Sequence, residues 1–151
     1  MFVKLGFGVL LPIMNRETGV RALIVGAALV GMLSGCALGI QPGESPSVSY
    51  TVPRSYQTVY LRAQNQAHEC LRGKKQYDVY AKVDAATQTA WVAVRGPMQD
   101  MEVARTDIKA VDARHTEVVH TVWGHGPWDH DALNAMRESV RMDTSVCVVY
   151  R

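Results

Sequence analysis

The 151 residues are 48% apolar and 20% charged, the balance of an ordinary globular protein with room for one domain. The formal charge of +2 is concentrated in the first 35 residues, where Lys4, Arg16 and Arg21 stand against Glu17. Without them the basic count falls from 16 to 13 and the acidic count from 14 to 13. A neutral remainder lacks the basic footprint of a nucleic-acid binder, so no nucleic-acid partner is expected.

The first element is an uncharged run of 12 apolar residues, Ala22 to Leu33. A membrane-spanning helix needs about 20 such residues. A secretory leader needs about 7–15, with positive charge before and small residues after. Arg16 and Arg21 supply the charge, and Leu33-Ser34-Gly35-Cys36 supplies the ending.

That tetrapeptide resembles the lipobox of bacterial lipoproteins. The resemblance implies a diacylglycerol on the Cys36 sulfur, cleavage before Cys36 and acylation of the new amine by a chain such as palmitate. Residues 1–35 are then a signal peptide, Leu33, Ser34, Gly35 and Cys36 are the lipobox, and membrane lipid is held through acylated Cys36. One acyl chain binds only marginally, at about 0.8 kcal/mol per buried CH₂, whereas two or three anchor permanently. Ala37 stands where members of that family kept at the inner membrane carry Asp, which implies the outer membrane with the domain facing the periplasm. Residues 1–13 form a second apolar stretch ahead of a leader of ordinary layout, so Met14 is the expected start.

Pro42, Gly43, Pro46 and the serines around them read as a flexible tether over residues 36–53, ahead of a domain at 54–151. Within the tether, Val48 to Val52 alternates and is a candidate edge strand ended by Pro53. From Ser55 to Leu71, Tyr56, Val59, Tyr60, Ala63, Ala67 and Cys70 recur at helical steps, with Ser55 as cap and Gly73 closing the end. The period then becomes two. Tyr77 to Val83 and Ala90 to Val94 read as a hairpin. A third strand runs from about Met101 to Val111 with a bulge near Asp107, and a fourth from about Glu117 to Trp123. Gly124-His125-Gly126-Pro127 breaks the sheet. Asp129 caps a second helix with Leu133, Met136 and Val140 inward and Arg137, Glu138 and Arg141 outward. Ser145 to Tyr150 has strand propensity and is expected to lie against the sheet. The layout is α+β: four antiparallel strands, with a candidate fifth, and two helices packed on one face.

With Cys36 acylated, Cys70 and Cys147 remain. A leader to an oxidising compartment predicts a disulfide between them, since only one connectivity exists. A redox pair is the weaker reading, because there is no Cys-x-x-Cys and Cys70 belongs to an apolar stripe. Tyr56-Gln57-Thr58-Val59-Tyr60 opening a helix that reaches Cys70, the hairpin after it and the terminal Cys147 together resemble a group of small, largely uncharacterised proteobacterial outer-membrane lipoproteins. That likeness spans roughly residues 54–147 and implies architecture without an activity.

His115, His120, His125 and His130 recur every five residues. Odd separations put strand neighbours on opposite faces, so His115 and His120 are not expected to converge. His125, Asp129 and His130 are the weak metal candidates, since a loop and a helix start can gather them; polar loop and cap roles are favoured, and no metal or other cofactor is expected. Trp91, Trp123 and Trp128 offer either a binding surface for glycan or protein or core packing between sheet and helix, which is favoured; Trp123 and Trp128 flank the break. Glu102, Asp107, Asp112 and Glu117 look like the wet side of strands. No Gly-x-Ser-x-Gly or paired nucleophile and base is present, so an enzyme is not expected. The leading reading is a non-enzymatic accessory or structural lipoprotein that binds an envelope protein; the alternative is a ligand- or metal-binding lipoprotein using His125–His130. Ribosome profiling is expected to place the start peak at Met14, and a peak at Met1 would overturn that start.

Overall fold

The structure, a computed structural model, describes residues 38–98 and 101–148. The elements are β1 (Ser47–Val52), α1 (Tyr56–Cys70), β2 (Asp78–Asp84), β3 (Thr89–Arg95), β4 (Glu102–Ala110), β5 (Thr116–Val122) and α2 (His130–Met142). All strand pairs are antiparallel, in the order β1-β5-β4-β3-β2. β2 to β5 form the expected meander, and the candidate fifth strand is present as β1, closing the sheet beside β5. Both helices lie on one face. The expected α+β fold is the fold observed.

Register explains the sides. Val92 of β3 lies opposite Thr106 of β4, which lies opposite His120 of β5, which lies opposite Val48 of β1. Every second residue in those rows faces the helices, and Val94, Ala104, Ile108, Val118 and Val122 are buried there. The alternate rows, which include Trp91, Arg105, Glu117 and Ser49, face away.

α1 starts where Ser55 Oγ accepts from the Thr58 amide at 3.4 Å. Its buried residues Tyr56, Val59, Ala63, Gln66, Ala67 and Cys70 follow the helical period. The helix is capped at Leu71, whose amide reaches Ala67; Gly73, with φ of +55°, turns the chain two residues later. α2 starts at Asp129, whose carboxylate accepts from the amides of Asp131 and Ala132 at 3.0 and 3.4 Å.

Three expectations change. Residues 38–53 are not a free tether. The Ile40 amide donates to Glu102 O at 2.7 Å, and β1 pairs with β5 along its whole length. A Cβ on Gly39 would sit 2.6 Å from Glu102 O, so only glycine allows that approach. The domain boundary therefore moves back from residue 54, and proline and serine content reflects a docked turn followed by an edge strand. The bulge in β4 lies opposite Val94 and Arg95, near the strand start, rather than near Asp107. The alternation slips near Asp107 only in appearance, because a polar residue, Thr106, takes an inward position. In its described residues, 145–148, the terminal segment lies against the helices rather than the sheet. The Val146 amide donates to Ser139 Oγ at 2.8 Å, and Val146 O accepts from Gln66 Nε2 at 3.4 Å, so the segment bonds to both helices. The expected signal peptide, residues 1–35, and Cys36 lie outside the described residues.

Cys70 at the end of α1 and Cys147 beyond α2 are joined in a disulfide, with Cα atoms 5.0 Å apart across 77 residues of sequence. Closing a loop of that length is worth about 4.5 kcal/mol on the chain-entropy account. Replacing both cysteines by serine is expected to lower unfolding stability by that order in urea titrations. A loss below about 1 kcal/mol would mean that Gln66 and Ser139 alone hold the terminal segment.

Candidate binding surface

The sheet face opposite the helices, uncovered among the described residues, carries a connected set of polar and aromatic side chains. At its centre is Ala93, which faces away from the helices yet is fully buried. Its small side chain lets long neighbours lie flat. Tyr80 and Arg105 are its cross-strand partners. The Arg95 guanidinium stands 4.9 Å from the centre of the Tyr80 ring, and Arg105 stands 5.2 Å from that of Trp91. Glu102 joins the two cations, accepting from Arg95 Nη2 at 2.9 Å and from Arg105 Nη1 at 3.2 Å. Arg105 Nε also donates to Asp107 at 2.8 Å. The hydrogen bond from Asp107 pushes the Arg105 pKa up, with the charges of Asp107 and Glu102 adding to it. Arg105 is thus a permanent cation held flat by two carboxylates and a ring.

Next to Trp91 the face dips into a cavity of about 320 Å³, bordered by Thr89, Asp107, Lys109, Glu117 and Val119. Aromatic planes beside alternating charges suit binding: rings take flat apolar or cationic groups, and the charged rim takes polar ones. Glu102, Asp107 and Glu117 stand on this face as expected. Asp112 instead sits in the β4–β5 turn, where it accepts from the amides of Arg114 and His115, both at 2.7 Å.

The other expected candidates disperse. Asp129 is committed to capping α2. His125 stacks edge-on against Trp123 at 4.9 Å, and His130 is the exposed first residue of α2. Among the described residues no three of His, Cys, Asp and Glu come together as a metal site, so the weak metal candidates His125, Asp129 and His130 do not form one. Trp128 is core rather than rim, edge-on to Tyr77 at 4.1 Å. Cys70 and Cys147 are bonded to each other. Leu33, Ser34, Gly35 and Cys36 lie outside the described residues.

Sequence reasoning missed one group. His120 is a core residue rather than a polar loop residue, 1% exposed. Its Nε2 is 2.8 Å from Tyr50 Oη, and its Nδ1 is 2.9 Å from Thr106 Oγ1. The neutral ring donates from one nitrogen and accepts at the other, and either hydroxyl can take either role. Burial, with the nearby positive charge of Arg137 adding to it, pulls the His120 pKa down to about 3. The signal was legible: Thr116, Val118, His120 and Val122 form one inward row, and a histidine in such a row is buried.

No known family model matches the chain, and no curated protein matches it.

Because the folded pKa of His120 lies below its unfolded value of 6.5, the unfolded chain binds the proton more readily. Stability from this group is complete above pH 6.5 and is lost as pH falls through the window down to about 3. Thermal melts across that window are expected to show a shallower pH slope for His120→Gln than for the parent chain. Parallel slopes would mean that His120 is not the group being protonated.

Proposed function

We propose that the chain is a lipid-anchored lipoprotein of the cell envelope, without catalytic activity, whose domain presents the open sheet face to another envelope component. The observation that carries the anchor is Leu33-Ser34-Gly35-Cys36 after a short apolar core with a basic flank. The Cys70–Cys147 disulfide is consistent with an oxidising compartment. Among the described residues no helix is long and apolar enough to cross a membrane. The binding role is supported by the lattice of Tyr80, Arg95, Glu102, Arg105 and Trp91. Those side chains are ordered by one another, so a partner meets a face whose ordering entropy is already spent. Ala37 after the lipidated cysteine favours the outer membrane, with the domain in the periplasm.

Metabolic labelling with radioactive palmitate tests the anchor. Label is expected in the parent chain and absent from Cys36→Ser, which is also expected to leave the membrane fraction. Label persisting in Cys36→Ser would overturn lipidation at that residue. The face is tested by photo-crosslinking residues placed at Tyr80 and Lys109, with Leu61 on the exposed side of α1 as control; Tyr80 and Leu61 are 45% and 56% exposed. A discrete adduct from the first two and none from Leu61 is expected. Equal adducts from all three would reject the open face as the binding surface.

A further inference from the structure

The two edges of the sheet are built differently. β2 carries Asp78, Lys82 and Asp84, charges of the kind that keep an edge strand from pairing with a foreign chain. β1 reads Ser47-Val48-Ser49-Tyr50-Thr51-Val52 and carries none. Register then shows which backbone groups of β1 are unpaired. The Val122 amide donates to Pro46 O at 3.0 Å, which makes Val48, Tyr50 and Val52 the residues bonded to β5. The N–H and C=O groups of Ser47, Ser49 and Thr51 therefore point outward along the edge.

A groove of about 560 Å³ runs beside this edge, lined by β1, Pro53, Arg54 and, from α2, Arg137 and Arg141. Its charge is not balanced. Glu138 is shared between Arg137 at 3.2 Å and Arg141 at 3.3 Å. Asp143 is shared between Arg54 at 3.2 Å and Arg62 at 3.1 Å. Four cations thus rest on two carboxylates, and positive charge is in excess over the groove.

We propose that the β1 edge receives an extended acidic segment of a partner protein by strand addition. The incoming main chain bonds to the outward groups of Ser49 and Thr51. Its carboxylates, on the helix side, meet Arg54, Arg137 and Arg141 in charge-assisted hydrogen bonds. Pro46 and Pro53 bracket the strand and keep the pairing short. A second copy of this chain is disfavoured, since its own β1 would bring a second set of arginines to the groove. The site is distinct from the open face and does not depend on that reading.

The test uses the full chain in detergent and a labelled peptide of alternating Glu and Val, with a Lys and Val peptide as counterpart, read by fluorescence anisotropy. The acidic peptide is expected to bind at least about tenfold more tightly than the basic one. Arg137→Glu combined with Arg141→Glu is expected to weaken it by at least about tenfold. Ser49→Pro removes one outward N–H without disturbing a bond to β5, and is expected to weaken the acidic peptide to a similar degree while the thermal melt stays intact. Equal binding of the two peptides, or full binding by Ser49→Pro, overturns the proposal. Sedimentation showing a dimer that Ser49→Pro abolishes would assign the edge to a second copy instead. Capture by phosphatidylglycerol vesicles that the arginine reversals abolish and Ser49→Pro leaves intact would assign the arginines to a membrane surface.

Discussion

Because α1 and α2 lie on the same side of the sheet, every strand must carry two chemistries in alternation. The inward rows are filled by Val, Ala and Ile, sized to fit under helices that themselves present alanine, as Ala63, Ala67 and Ala132 do. Among the described residues nothing covers the outward rows, yet the central strands β3 and β4 have backbone and small side chains to shield there. Long charged and aromatic side chains laid flat do this with their own stems. The burial of Ala93 under Tyr80 and Arg105 is the direct consequence. The proposed binding surface is therefore also the sheet's roof. A partner that lifts Arg105 off Trp91 must supply both a counter-charge and apolar cover, which restricts what can bind.

The same alternation made much of the fold legible from sequence. Helical spacing from Tyr56 to Cys70 and the alternation of β2 and β3 needed no tertiary information, since each face is apolar or polar by itself. The disulfide was legible because reading Cys36 as a lipidation site left Cys70 and Cys147 as the pair. Three features were hidden for physical reasons. β1 was read mainly as tether because its inward residues Val48, Tyr50 and Val52 are interrupted by serines and threonine, which serve the wet face as well as a loop. The burial of His120 can be read from its row, but its partner Thr106 stands on another strand, and a pattern of apolar and polar residues cannot see such pairing. The open-face lattice depends on which residues stand opposite across four strands, a matter of register that spacing within one strand does not contain.

The N-terminal segment links architecture to the proposed anchoring. With Ile40 bonded to Glu102 and β1 in the sheet, little chain is left between Cys36 and the domain to serve as a spacer. Glu102 thus has two duties: its carboxylate clamps Arg95 and Arg105 on the open face, and its carbonyl accepts from the Ile40 amide ahead of β1. The start of β4, where the bulge lies, is the point where the segment before β1 and the open face meet. A bulge suits that point, since it turns local backbone groups away from the regular ladder.

A buried histidine between two hydroxyls is an expensive choice for a core that is otherwise mainly apolar. Three apolar residues of similar volume would pack there without the cost of burying polar atoms. What the trio provides is register. His120 lies directly opposite Thr106 in β4, whereas Tyr50 reaches it diagonally from β1, where it pairs with Val118. A slip of one residue between β1 and β5 would turn Tyr50 to the wet face and leave His120 with an unmet nitrogen in a dry core, a penalty of about 1–3 kcal/mol on top of the lost packing. β1 needs such a pin more than the other strands do. It is an edge strand that no hairpin turn joins to β5, and a shift by two residues would keep its Val and Tyr side chains inward. The polar trio therefore fixes the one strand whose position the connecting loops leave open, and with it the outward groups of Ser49 and Thr51 at the edge.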